Sequence, residues 1–264
     1  MMTLSQFQAK AREIFRAEKA ETIHTDPISF LYSLEWNIPI GPAFPEEMMA
    51  QMNVDFDENS CHGRAVKAAV LCEQLFPTYT MYAGEVCEDL LRSMILQQAS
   101  PEKWNDETYI AELLQYENPH IVLVDEHGDQ FDPIFKLLSN MPKQLRHPQV
   151  LKQALWDGLY CSYLVSQALL YRNSNVDVYI QTLLKAYLIC PKGLLVKENL
   201  ASAYGLIGRD AESIKLAKEV AAHRKDAKIL LFLWMFTGEE VYKATLIEQY
   251  DEKMLIFLTQ NLKV

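Results

Sequence analysis

Residues 118–135 read NPHIVLVDEHGDQFDPIF, and this stretch decides how the first half of the chain folds. Ile121, Val122, Leu123 and Val124 make a short, continuous run rich in β-branched residues, the pattern of a buried strand. Asp125 to Asp129 follow and contain Gly128, which suits a hairpin turn, and Gln130 and Phe131 lead back along a second strand to Asp132. A hairpin of this length brings its two ends side by side. His120, at the head of the first strand, then lies near Asp132, at the foot of the second. Asp132 can accept a hydrogen bond from one ring nitrogen of His120 and fix the tautomer that leaves the other nitrogen open to take a proton.

Outward from the hairpin, the preceding stretch NSCHGRAVKAAVLCEQL (59–75) predicts a helix. Asn59 and Ser60 are good N-cap residues, and Ala65, Val66, Ala68, Ala69, Val70 and Leu71 continue with a broad apolar face. Cys61 therefore sits in or just before the first turn. There the unpaired N–H groups and the positive end of the helix dipole favour a thiolate, and later an oxyanion. On position alone Cys61 is equally readable as a small residue beside a cap. With His120 and Asp132 it completes a Cys-His-Asp triad, a set able to carry acyl transfer. The stretch from Thr78 to Val86, TYTMYAGEV, mixes Thr and Tyr in a strand-like way.

In order and context these motifs resemble the transglutaminase-like superfamily, whose members share a papain-like fold. The likeness runs from Asn59 to Pro133: Cys61 opening a helix, a strand ending near Gly84, a strand headed by His120, and Asp132-Pro133 after a Gly-containing turn. It implies Cys61, His120 and Asp132 as catalytic residues; no cofactor and no metal are expected. The family often has an aromatic residue after the His, where this chain has Ile121. It usually carries a Trp upstream of the Cys that helps bind the oxyanion, and Trp36 is the one Trp upstream of Cys61.

The 264 residues suffice for one large domain or two ordinary ones, and a 50% hydrophobic composition supports a substantial core. With 25 basic against 35 acidic residues, the net charge is −10. That balance argues against nucleic acid or an anionic membrane as partner, since both require clustered Lys and Arg. The opening MMTLSQFQAK lacks the features of a secretory signal, and no window reaches the roughly 18 apolar residues of a membrane span. The expected compartment is the cytoplasm. The five cysteines, Cys61, Cys72, Cys87, Cys161 and Cys190, contain no Cys-x-x-Cys pair and are expected to be free thiols, with Cys72 and Cys161 in the core. Cys61-His62 has no second close pair with which to make a zinc site.

Elsewhere the pattern is helical. Thr3 and Gln6 have capping-box spacing ahead of a helix to about Ala20, and Asp26-Pro27 reads as N-cap and N1 of a short second helix. Prolines and glycine in IPIGPAFP (38–45) make a stiff loop. Residues 88–117 read as two helices, either a substrate-selecting excursion or a packing insertion. His147-Pro148 predicts the start of a helix through Val150, Leu151, Ala154, Leu155, Leu159 and Leu164, broken at Asn173 to Asn175. Leu200, Ala201, Tyr204, Gly208, Ser213, Ala217 and Val220 resemble a tetratricopeptide repeat, with Leu183, Ala186 and Pro191 one period of about 34 residues earlier. The helices from Leu231 to Leu262 are more degenerate.

The reading is an α+β transglutaminase-like domain over residues 1–143, with N-terminal helices and a small antiparallel sheet, then an all-α tetratricopeptide-like region over 144–264. Two functions follow. One is cysteine-dependent acyl transfer or amide hydrolysis (protease, deamidase or transglutaminase type) on a peptide or protein substrate. The other is a non-catalytic scaffold on the same fold, binding a protein partner through the C-terminal helices, or using them only to brace the first domain.

Overall fold

A computed structural model describes residues 2–15, 26–34, 61–87, 121–132 and 149–261. Among these the fold is α+β: N-terminal helices and a four-stranded antiparallel sheet, then an all-helical region of six helices.

The capping box at the start is formed. Thr3 Oγ1 accepts the Gln6 N–H at 3.3 Å and the Gln6 side chain accepts the Thr3 N–H at 2.8 Å, opening α1 (Leu4–Ile14). This helix stops at Ile14, short of the expected Ala20, and residues 16–25 lie outside the described set. Phe7 and Ala11 are its fully buried contacts. In α2 (Pro27–Ser33) the Asp26 carboxylate accepts the Ser29 N–H at 2.7 Å, with Pro27 at the first helical position as expected. Helix α3 (Cys61–Leu75) buries Ala65, Val66, Ala68, Ala69 and Val70 completely. Small side chains on several faces let it be enclosed by its neighbours, the behaviour of a central helix.

The sheet comprises β1 (Met81–Val86), β2 (Ile121–Asp125), β3 (Gln130–Phe131) and β4 (Val150–Ala154) in the order β3-β2-β1-β4. β1 begins three residues later than the Thr78 expected, because Pro77 and Thr78 lie in a turn closed by Tyr79 N–H to Phe76 carbonyl at 3.0 Å. The stretch from Val150 to Ala154 is a strand, not the start of the helix expected there. It pairs antiparallel with β1, Val86 against Val150 and Tyr82 against Ala154. Val150, Leu151, Ala154 and Leu155 match a helical stripe, but a short apolar run fits either period, and pairing to an open edge of β1 decides it. Gly84 is required by crowding on one face of the sheet: a Cβ there would overlap Val150 and lie 2.8 Å from Val124.

The six C-terminal helices are α4 (Leu155–Leu169), α5 (Val176–Ile189), α6 (Leu194–Leu206), α7 (Asp210–Ala221), α8 (Ala227–Thr237) and α9 (Glu240–Asn261). Asn175 caps α5 through the Val178 N–H, Asp226 caps α8 through the Ile229 N–H, and Gly238 ends α8 at φ +67°. No helix among the described residues is long and apolar enough to cross a membrane.

The described residues gather into two compact units. The first takes those up to 86 and from 121 to 196, and the second takes Cys87 and 197–261. In the first, α4 lies directly on β1, since a methyl at Gly158 would sit 2.6 Å from the Ala83 Cβ. Phe7 gathers Trp156, Tyr160 and Tyr163 at ring separations of 5.2 to 6.3 Å. In the second, Leu200, Ala201, Ser213, Ala217 and Val220 are buried, Ser213 donates to the Ala201 carbonyl at 2.5 Å, and Gly208 makes the turn between α6 and α7 at φ +72°.

Candidate active site

Cys61 is the first residue of α3, where the cap reading put it. Its side chain, like the whole of His120 and Trp36, lies outside the described residues, as do 35–60 and 88–120. Asp132 is described: it follows β3 directly and is 0% exposed.

The hairpin that delivers Asp132 forms as read. The Asp125 N–H donates to the Asp129 carbonyl at 2.9 Å, Gly128 takes φ +88°, and the Asp125 carboxylate accepts the His127 and Asp129 N–H groups at 2.9 and 2.8 Å. The Asp125 side chain thus builds the turn from inside, as Asp does when its carboxylate stands in for a backbone acceptor. Leu123 pairs with Phe131 and Val124 with Gln130, so the next pair in register is Val122 with Asp132. Antiparallel pairs alternate between bonded and non-bonded. Counting from the bonded Asp125–Asp129 pair, Leu123–Phe131 is bonded and the Val122–Asp132 position is not. The Asp132 N–H therefore points away from β2. β3 is the edge of the sheet among the described residues, so that N–H needs another acceptor, and the Tyr32 hydroxyl of α2 supplies it at 3.3 Å. The Tyr32 ring meets Phe131 edge-on at 5.3 Å.

The residue after Cys61 behaves differently. His62 is 6% exposed, its ring tilts against Phe7 at 6.2 Å, and among the described residues neither ring nitrogen has a hydrogen-bond partner. Burial lowers its pKa to about 4, so the ring is neutral at neutral pH. Burial likewise pushes the Cys72 thiol up to about 12. The Cys161 thiol is raised well above its ordinary value, first by its hydrogen bond with Cys190 and then by burial. Cys72 and Cys161 are therefore packing thiols and poor nucleophiles, as their apolar helical setting implied.

One buried carboxylate went unread in the sequence. Glu85 in β1 accepts the Leu194 and Leu195 N–H groups at 2.5 and 3.2 Å, and its other oxygen accepts the Gln153 amide at 2.7 Å. An anion at a helix start satisfies donors that the helix leaves open, and this one holds Leu194 and Leu195, both within the first unit, to the sheet. A lone acid in an otherwise apolar strand was the available signal. Tyr32 left none, because its partner lies 100 residues away.

Among the described residues no group of three His, Cys, Asp or Glu is placed to hold a metal ion. Comparison with protein-family models, curated proteins and solved structures finds no match.

Proposed function

We propose that the chain is a cysteine enzyme of transglutaminase-like fold that transfers or hydrolyses an acyl group on a peptide or protein. The observation that carries this reading is the buried Asp132 carboxylate at the exit of a hairpin whose β2 begins one residue after His120. By the β2–β3 register Asp132 stands opposite Val122, two residues after His120 in sequence. Residues two apart on a strand share a face, so in the proposed reading, with the extended chain continuing back to His120, that ring would lie diagonally across from Asp132. Cys61 opens the central helix of the same unit.

In the proposed mechanism His120 takes the Cys61 thiol proton and the sulfur attacks the substrate carbonyl carbon. The N–H groups at the start of α3, with Trp36, stabilise the oxyanion. The intermediate collapses as imidazolium returns the proton to the leaving amine, and the Cys61 thioester then passes its acyl group to water or to a second amine. Asp132 orients His120 throughout. Alkylation by iodoacetamide across pH is the test: Cys61 reacts well below the reference thiol pKa of about 8.5. Reaction no faster than at the other accessible cysteines removes the enzyme reading.

The second reading, a scaffold whose tetratricopeptide-like helices engage a protein partner, is favoured by one observation. Leu206, Ile207, Met235, Phe236 and Val241 are exposed near the ends of α6, α8 and α9. Single exposed apolar residues are ordinary, but several near helix turns are what a partner helix packs against.

A further inference from the structure

We infer that Tyr32 is a positioning residue for the Asp132 carboxylate, fixing the main chain from which that carboxylate projects; the inference rests on the triad reading above. Among the described residues the sheet ends at β3, and the register turns the Asp132 N–H off that edge. Left there, a buried residue's donor would pull the chain toward any acceptor within reach. The Tyr32 hydroxyl accepts it at 3.3 Å, and the phenol is itself oriented by the Phe131 ring edge at 5.3 Å. Behind Tyr32, helix α2 is set by the Asp26 cap. Sequence restrains the other side of Asp132: a following proline confines the preceding residue to extended backbone. The peptide on one side is held by Tyr32 and the torsion on the other by Pro133, so the Cα–Cβ direction of Asp132 is defined at both ends. Burial, the largest influence, raises the Tyr32 pKa above its ordinary value, and the phenol stays protonated at neutral pH.

This residue acts through Asp132, so its removal changes the chemistry of Cys61 without touching it. The full chain is alkylated with iodoacetamide from pH 5.5 to 9.5, with Cys61 followed by peptide mass spectrometry, in the wild type, Tyr32→Phe, Asp132→Asn and the double variant. Tyr32→Phe keeps the aromatic ring beside Phe131 and deletes the hydroxyl that accepts the Asp132 N–H. At pH 6.5 it slows Cys61 alkylation roughly tenfold, short of the ~10²-fold that a 1 Å misplacement costs, and leaves the rate at pH 9.5 unchanged. In the Asp132→Asn background the same substitution has no further effect, because a residue acting through another is non-additive with it.

A wild-type profile with an ordinary thiol pKa overturns the triad reading and the inference with it. A depressed wild-type profile that Tyr32→Phe leaves in place overturns the inference alone. So does a Tyr32→Phe effect that recurs undiminished beside Asp132→Asn, since that is general loosening of the fold. Should Tyr32→Phe fail to fold, Phe131→Leu, which removes the ring that orients the phenol and keeps the hydroxyl, is taken through the same cycle and read by the same outcomes.

Discussion

In the helical unit the buried guanidinium of Arg224 lies between the carboxylates of Asp226 and Glu198, with Lys228 at 3.5 Å from the far oxygen of Glu198. In the sheet unit the buried ring of His62 lies against Phe7 and meets no hydrogen-bond partner among the described residues. Burial works against the charge on Arg224, yet Asp226 and Glu198 outweigh it and hold the guanidinium above its ordinary pKa. Burial also opposes the Glu198 charge, and Arg224 and Lys228 outweigh it there, keeping that carboxylate below its ordinary value. His62 has burial alone, and it stays neutral. Desolvation disfavours the charged form in both units, and the net outcome differs with the counter-charges present. Where counter-charges are built in, the charged form is locked; where none is, the neutral form is enforced. The helical unit is charge-locked through mild acid, and the sheet unit holds a group that acid strains.

The sharpest way to break this comparison is to remove the central cation. Arg224→Met leaves two buried carboxylates facing each other without their main partner, and the expected loss of stability is about 3–5 kcal/mol, read from urea denaturation at pH 7. A loss under about 1 kcal/mol means that the carboxylates find water or Lys228 instead, and the lock is not one. Asp226 also caps α8 through the Ile229 N–H at 2.9 Å, so its reorientation would register as lost helicity as well.

The converse test is on His62. Its native pKa, about 4, lies below the ordinary 6.5 of an unfolded chain. The unfolded state therefore binds the extra proton between these values, so stability is full above pH 6.5 and is lost as pH falls toward 4. At 1.36 kcal/mol per unit the window is worth about 3 kcal/mol. His62→Phe keeps an aromatic ring against Phe7, removes both orphaned nitrogens and is expected to flatten that part of the pH–stability curve. An unchanged slope in the variant would assign the acid sensitivity to another group.

A buried charge in the sheet unit that does have partners sets an intermediate case. Glu85→Gln replaces one acceptor oxygen by an amide donor facing the Leu194 and Leu195 N–H groups or Gln153, and it removes the negative charge at the start of α6. The loss expected is about 2 kcal/mol, near that of one hydrogen bond to a charged group. Thermal or urea unfolding checks it, and hydrogen exchange at Leu194 and Leu195 gives the local readout.

How much of this was legible beforehand follows from the range of the interactions. The caps at Thr3, Asp26 and Asn175, the Gly128 turn, the β2–β3 pair and the Cys61 helix start depend on neighbours a few residues away, and their residue types announce them. Leu200, Ala201, Ser213 and Val220 were readable as a packed helical pair because small and apolar residues repeat along them. β4 was misread as helix because five residues do not distinguish the two periods, and its strand state comes from the β1 edge more than 60 residues earlier in sequence. Of the candidate site, the helix start at Cys61 and the Asp132 position at the hairpin exit were legible and stand in the described structure, while His120 and Trp36 lie outside the described residues. The Tyr32 acceptor and the partners of Glu85 were not legible, since each contact joins residues about 100 apart; Glu85 announces itself only as a lone acid in an apolar strand, and Tyr32 leaves no local pattern.

The smallest effect sharpens the same contrast from outside the core. Arg12 of α1 makes two 2.8 Å hydrogen bonds to Glu73 of α3, and its guanidinium lies 5.3 Å from the Trp156 ring centre. The geometry is as good as that around Arg224, with a paired carboxylate and an aromatic face. But the side chains are 42% and 39% exposed, so water competes for both charges and salt screens them. Arg12→Ala is therefore expected to cost under about 1 kcal/mol, and the part due to the ion pair should shrink further in 0.5 M salt while the Arg224→Met loss holds. Paired measurement of the two variants at low and high salt isolates burial as the variable. An equal salt response in both would mean that solvent reaches Arg224 as freely as Arg12, and the division between a locked helical unit and an acid-strained sheet unit would fall.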